Sequence, residues 1–284
     1  MKYIKRIGVF VLIIFMTTML VACEKNDSDN RYTITFKVND TIYETKQVQS
    51  GEKVEKPTNP TVLNYLFEGW YVDDEKWSFL NNTVDRDLTL TAKFDYGYEY
   101  YGTKVMGLTD YGKSLSKIYI LDGMTEIAAR AFKGELTLEE IDIPNSVKSI
   151  GDNAFYNCDV LTNVSFGENS KLNSIGDDAF SGCDKLKNIT IPSNVNSIGE
   201  YAFSFCEGLT NIVIPSSVKT IGERAFCGCY KLTSVTFENT NDWNVIKEED
   251  YTFIRSISSS ELSNKSTAAT YLKSDYYNYY WERG

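Results

Sequence analysis

The sequence predicts a mainly β chain with short helical turns, in which a small β-rich block precedes a solenoid with capped ends. Three observations carry this. A phrase L-x-x-I-x-I is written six times, at Leu115/Ile118/Ile120, Leu138/Ile141/Ile143, Leu161/Val164/Phe166, Leu186/Ile189/Ile191, Leu209/Ile212/Ile214 and Leu232/Val235/Phe237, with the leucines 23, 23, 25, 23 and 23 residues apart. A second phrase, I-G-x-x-A-F-x-x-C, follows the first within each period, as at Ile150, Gly151, Ala154, Phe155 and Cys158. Apolar and polar residues also alternate over Tyr32 to Val38 and Leu88 to Phe94. A fixed period of this size marks stacked coils, and alternation marks half-buried strands.

Residues 1–22 carry Lys2, Lys5 and Arg6 ahead of an apolar run from Ile7 to Leu20. That order is the order of a secretory signal, and the run is shorter than the about 20 apolar residues a membrane span needs. Leu20-Val21-Ala22-Cys23 resembles the lipobox of bacterial lipoproteins, which implies cleavage before Cys23 and lipid attachment to it; an ordinary signal peptide is the alternative. Residues 23–31 then read as a lipid-anchored tether, since EKNDSDNR is polar and lacks apolar residues. The chain has 29 basic and 39 acidic residues, a net charge of −10, and loss of the leader removes three basic residues and no acidic one. So acidic a chain argues against nucleic acid and against a basic membrane-binding patch.

Residues 32–94 form the small β-rich block, punctuated by Gly51, Pro57 and Pro60. Thr33-Ile34-Thr35-Phe36, Phe67-Glu68-Gly69-Trp70-Tyr71 and Leu88 to Phe94 together resemble the Listeria–Bacteroides repeat, a module of bacterial surface proteins, and the resemblance implies a β-grasp-like fold. Asn64 and Phe94 depart from that pattern, where glycine and tryptophan are usual. Trp70 and Tyr71 read either as core or as a ligand platform.

Residues 95–114 are a linker and N-terminal cap, with Tyr96, Tyr98, Tyr100 and Tyr101 available to cover the first open coil or to recognise a ligand. Residues 115–238 are the solenoid. Its second phrase recurs at Ile175 to Cys183, Ile198 to Cys206 and Ile221 to Cys229, and is degenerate in the first coil, where Ala128 and Glu135 replace glycine and cysteine. Stacking would turn the isoleucines, phenylalanines and cysteines into columns. Pro144, Pro192 and Pro215 end the strands. The glycine after the second isoleucine suits a tight or positive-φ turn, and Asp152, Asp177, Glu200 and Glu223 suit the start of a short helical turn. These phrases resemble the BspA-like, treponemal type of leucine-rich repeat. The resemblance implies a curved solenoid on a bacterial surface protein that binds extracellular partners.

Residues 239–284 supply the C-terminal cap, with Trp243, Val245, Tyr251, Phe253 and Ile254 as apolar cover and one or two helical turns over Ser266 to Lys273. The final aromatics, Tyr276 to Trp281, either close the cap or meet a ligand.

The chain has no histidine, which removes triads that use one and the commonest general base. Of six cysteines, Cys158, Cys183, Cys206 and Cys229 follow the coil period and read as a column of small buried thiols, while Cys227 lies off it and is open to a disulfide. Asp177 with Asp178, or the acid column Asp152, Asp177, Glu200 and Glu223, could suggest a catalytic pair or a calcium site, but acids recurring at one phase of the coil fit a solvated turn better. The chain is expected to be non-catalytic, with no metal and no cofactor. Its candidate binding face is the outward side of the first strand of each coil, at Asp142, Asn163, Ser165, Asn188, Thr190, Asn211, Val213 and Thr236; exposed-strand chemistry alone also accounts for these residues. The function expected is that of a lipid-anchored, extracytoplasmic surface lipoprotein that binds an extracellular or host protein. A glycan or nutrient-capture lipoprotein using Trp70, the Tyr96 to Tyr101 cluster or Trp281 is the second reading, and a structural spacer the third.

Overall fold

The computed structural model describes residues 30–62, 65–247 and 251–284. The signal at 1–22, Cys23, most of the tether and Asn64 lie outside the described residues. Two compact units are present, one ending at Tyr96 and one running from Gly97 to Gly284.

In the first unit, β1 (Arg31–Val38) and β2 (Thr41–Gln49) form an antiparallel pair, followed by β3 (Leu66–Val72), β4 (Glu75–Lys76) and β5 (Leu88–Asp95). The sheet order is β2-β1-β5-β3-β4, with β1 and β5 parallel at its centre. Alternation puts Ile34 and Phe36 of β1 beside Leu88 and Leu90 of β5 on the buried face. Trp70 completes this core, edge-on to Phe36 at 4.9 Å.

The second unit opens with a hairpin, β6 (Tyr98–Tyr101) and β7 (Lys104–Leu108). The two phrases of the period then supply the strands β8 (Lys117–Tyr119), β9 (Glu126–Ile127), β10 (Glu140–Ile143), β11 (Ser149–Ile150), β12 (Asn163–Phe166), β13 (Ser174–Ile175), β14 (Ser197–Ile198), β15 (Asn211–Ile214), β16 (Thr220–Ile221) and β17 (Ser234–Phe237), alternating except between β13 and β14, where the first phrase forms only a bridge at Thr190. The cap adds β18 (Trp243–Lys247), β19 (Thr252–Ile257), the helices α1 (Ser259–Ser263) and α2 (Lys265–Thr270), a π-helical turn over Tyr271–Asp275 and β20 (Tyr280–Arg283). The second phrase builds the longest ladder, in the order β19-β18-β20-β16-β14-β13-β11-β9-β7-β6. The hairpin closes one end of that ladder and the cap strands close the other.

Between the ladders lies the core, built column by column. Phe132, Phe155, Phe180, Phe203 and Phe226 stack face to face at 4.9–5.4 Å, with interplanar angles of 3–13°. Each such ring pair adds about 0.5–1.5 kcal/mol beyond the area it buries. The four cysteines of the period are buried and free, and Cys227 is free as well. Each buried thiol donates to the phenylalanine carbonyl of the preceding coil, Cys158 to Phe132 at 2.9 Å and Cys206 to Phe180 at 3.1 Å. Burial pushes the Cys158 and Cys229 thiols up to about 12, so they are inert as nucleophiles.

Two details of the second phrase differ from expectation. No helical turn forms at Ala-Phe: backbone conformation alternates, with left-handed residues at Arg130, Asn153, Asp178, Tyr201 and Arg224 and again four residues later at Gly134, Asn157, Gly182, Phe205 and Gly228. Every second amide turns toward the next coil: Asn153 N–H donates to Asp177 O, Phe155 N–H to Ala179 O and Asn157 N–H to Ser181 O. A helix would have kept those amides within its own turn. The repeated glycines, Gly151, Gly176, Gly199 and Gly222, have no positive φ either. They are needed for close approach, because a Cβ on Gly199 would lie 2.6 Å from Asp177 N and 2.6 Å from Gly176 C in the preceding coil.

The C-terminal cap is organised by Arg255 and Glu261. Ser258 caps α1 reciprocally with Glu261, whose carboxylate also takes Arg255 Nη2 at 2.7 Å and Tyr271 Oη at 2.9 Å. Trp243 and Trp281 lie buried against Phe237.

Two outcomes follow from this packing. Gly199→Ala forces backbone against backbone at one coil interface, and is expected to lower stability by about 1–3 kcal/mol in urea denaturation; an unchanged midpoint would reject the close-approach role. Hydrogen bonds from the Ser258 hydroxyl and amide, then from Tyr271, hold the Glu261 carboxyl at about 2. Its folded value lies below the ordinary value of 4.5, so its contribution is present above that pH and fades as pH falls toward 2. The protection of the α1 amides, taken relative to their intrinsic exchange rates, should therefore fall over that interval, and in Glu261→Gln it should be low at every pH.

Candidate binding face of the solenoid

The strands β10, β15 and β17 each bury two apolar residues, while β8 buries Ile118 and β12 buries Val164, and all five send the residues between and before these inward positions outward. Parallel register sets these side by side. Lys117, Glu140 and Asn163 form one row, and Tyr119, Asp142 and Ser165 the next. Farther along, Thr190 bridges Val213, which pairs with Thr236, and Asn211 pairs with Ser234. Of the residues expected on this face, Asn163, Asn188, Thr190, Asn211 and Val213 are exposed, and Asp142, Ser165 and Thr236 are half-buried.

The face is charged at one end and neutral at the other. Lys117 Nζ lies 3.0 Å from Glu140 and 3.1 Å from Asp142, with the Tyr119 ring at 4.8 Å. The hydrogen bond to Glu140 above all holds this ammonium above its ordinary value, with help from Asp142. Asp142 also accepts from Ser165 Oγ. In the later coils, Asn211 Nδ2 donates to Asn188 Oδ1 at 2.9 Å and no charged side chain takes part.

The face does not run as one sheet. It divides into β12-β10-β8 and β15-β17, and among the described residues no strand pairing or backbone hydrogen bond joins 162–166 to 187–191. The break coincides with the 25-residue period. Five residues lie between Ile143 and Ser149, between Ile191 and Ser197 and between Ile214 and Thr220, whereas seven lie between Phe166 and Ser174. The longer loop is anchored on both sides: Lys171 N–H donates to Asn145 O at 3.0 Å, Asn145 Nδ2 to Glu168 O at 3.3 Å, and Asn194 Nδ2 to Ser170 O at 2.6 Å. Pro192, with no N–H, cannot donate across the gap. A groove of about 490 Å³ opens there, bordered by Asn163, Ser165, Phe166, Thr190 and Pro192. The sequence carries the signal for it in the one period that is not 23.

The acid column has a structural part to play. Asp152 Oδ1 accepts Asp177 N–H at 3.0 Å, and Asp177 Oδ1 accepts Glu200 N–H at 2.8 Å, so each carboxylate ties its coil to the next. Burial raises Asp178 above the ordinary carboxylate range. The aromatic residues considered as ligand platforms divide differently. Trp70 and Trp281 are each 1% exposed and Tyr98 is 2% exposed, all three in cores, while Tyr100 and Tyr101 are exposed on the hairpin. Tyr71 is half-buried beneath Lys93 Nζ at 4.5 Å.

Two family models match parts of the chain. Residues 111–206 match the BspA type leucine rich repeat region in six copies, and residues 32–93 match the Listeria-Bacteroides repeat domain. A leucine rich repeat protein of T. pallidum is 31% identical, with 50% of this chain and 68% of that one covered and a TM-score of 0.45. A leucine rich cell surface protein of Faecalibacterium prausnitzii is 32% identical over 51% of this chain and 38% of its own, with a TM-score of 0.46. A protein of Evansella cellulosilytica named as a Gly-rich membrane protein is 33% identical over 70 residues, which are 23% of this chain and 8% of that protein. The chain thus spans a small part of that relative's length. Neither matching family is an enzyme family, and both typify bacterial surface proteins. The chain thus carries BspA type leucine-rich repeats over residues 111–206, with a Listeria-Bacteroides repeat domain ahead of them.

Proposed function

We propose that this chain is a non-catalytic adhesion module that binds an extracellular or host protein through the outward face of its solenoid. The observation that supports this most is a fixed row of exposed side chains, Asn163, Asn188, Thr190, Asn211 and Val213, each held by a coil tied to its neighbours. A surface ordered before binding loses little freedom when a partner docks. Glycan or nutrient capture has less support, because Trp70 and Trp281 are buried. Cys23 carries the lipid that holds the module on the cell, with the polar tether behind it.

Two experiments test this reading. The chain from Glu24 onward is exposed to arrays of extracellular-matrix proteins and glycans beside a double variant, Asn188→Arg with Thr190→Arg. Protein binding that falls at least about tenfold in the variant supports the solenoid face, a loss of about 1.4 kcal/mol. Glycan binding untouched by the variant favours capture through aromatics, and no binding on either array favours a spacer. Separately, Cys23→Ser is expected to abolish labelling by radioactive palmitate and to release the chain from membranes; labelled Cys23→Ser protein would overturn the lipid anchor.

A further inference from the structure

The two-residue expansion of one coil does more than lengthen a loop. In five of the six copies of the first phrase, the second inward position is buried: Ile120, Ile143, Ile191, Ile214 and Phe237 are all at most 6% exposed. Phe166 is the exception and is half-buried. It borders the groove where β12 parts from residues 188–191. On the other ladder the same coils remain in register, Ser174 with Ser197 and Ile175 with Ile198, and the Phe180–Phe203 rings stay stacked at 5.4 Å. The opening is therefore a wedge, closed at the second-phrase ladder and open on the binding face.

Three features of the wedge define what fits it. Its side along β12 is a strand edge paired only to β10, so its remaining main-chain groups turn toward the gap. Its lining has no charged side chain: Asn163, Ser165, Asn169, Ser170, Thr190 and Ser193 are polar and neutral, on a chain whose net charge is −10. Its apolar lining comes from Val164, Phe166 and Pro192. Its volume, about 490 Å³, is within the about 300–1,000 Å³ range of ligand clefts. We propose that the wedge is the specificity site of the solenoid face, which takes an extended, uncharged peptide segment of the partner along the free edge of β12, with an apolar side chain set on Phe166. Main-chain hydrogen bonds supply such a contact and alternate side chains select the sequence. This assignment rests on the reading of the solenoid face as a protein-binding surface.

The test uses an array of linear peptides and neutral oligosaccharides with three forms of the chain from Glu24 onward beside the parent. The first lacks Glu168 and Asn169, which restores a 23-residue period and closes the wedge. The second is Thr190→Lys, an exposed substitution that leaves the coil intact and puts a charge at the rim. The third is Thr236→Arg, on the same face but away from the wedge. Uncharged peptides that bind the parent and Thr236→Arg, and bind the first two forms at least about tenfold more weakly, are the expected result. Thermal unfolding of Thr190→Lys at the parent's temperature keeps that loss from being a folding defect. Peptide binding lost in Thr236→Arg but kept in the other two would overturn the wedge while leaving the solenoid face as the protein-binding surface. Oligosaccharides bound in place of peptides, or no peptide bound by the parent, would overturn it as well.

Discussion

Everything in the solenoid depends on how closely one coil can approach the next. Strands in a ladder lie about 4.8 Å apart, and the phenylalanine rings, at 4.9–5.4 Å, keep close to that spacing. At such a separation there is no room for a Cβ between the backbones at Gly176, Gly199 and Gly222. The same closeness lets successive amides take turns, one bonding within the coil and the next bonding across it. It also brings each buried thiol within reach of a carbonyl, and the carboxylates of Asp152 and Asp177 within reach of an amide. Buried polar groups must find partners, and here the partner is almost always the neighbouring coil.

This dependence explains what could be read from the residues alone. The columns of isoleucine, phenylalanine and cysteine follow from a repeat length and from the need to bury one face of a strand, and both are properties of spacing. The roles of Gly199 and Asp177 do not follow in that way. A glycine next to an acid suits a turn or a helix start in isolation, and only the presence of a second coil a few ångströms away changes the meaning of both. The left-handed conformation of Asp178 and Tyr201 is hidden for the same reason: both donate to the next coil, and tyrosine or arginine has no local preference that would announce such a conformation. The cap is legible as apolar cover, but the pairing of β20 with both β16 and β18 joins residues more than 30 positions apart and leaves no periodic trace.

The binding face divides along the same line. Which residues point outward was legible from alternation, and Asn163, Asn188, Thr190 and Asn211 are indeed exposed. The interruption between β12 and Thr190 was present as a count of 25 among counts of 23, yet a longer period says only that residues have been added. Whether they bulge harmlessly or prise two strands apart depends on where the loop is tied. Here Asn145 and Asn194, one on each neighbouring coil, hold it.

Those ties give the interruption its physical significance. A loop free to move would let β12 and residues 188–191 close, since pairing satisfies backbone groups that the gap leaves to water. Anchored at Glu168, Ser170 and Lys171, the loop holds the gap open on one face, while Ser174–Ser197 pairing and the ring stack hold it shut on the other. A cleft fixed in that manner requires no rearrangement to admit a ligand, so hydrogen bonds formed inside it are not offset by the cost of ordering the site. Within each of the two ladders the face presents side chains on strands paired to their neighbours. At this interruption a main-chain edge accompanies them, and with it the means to recognise a polypeptide by its backbone as well as by its side chains.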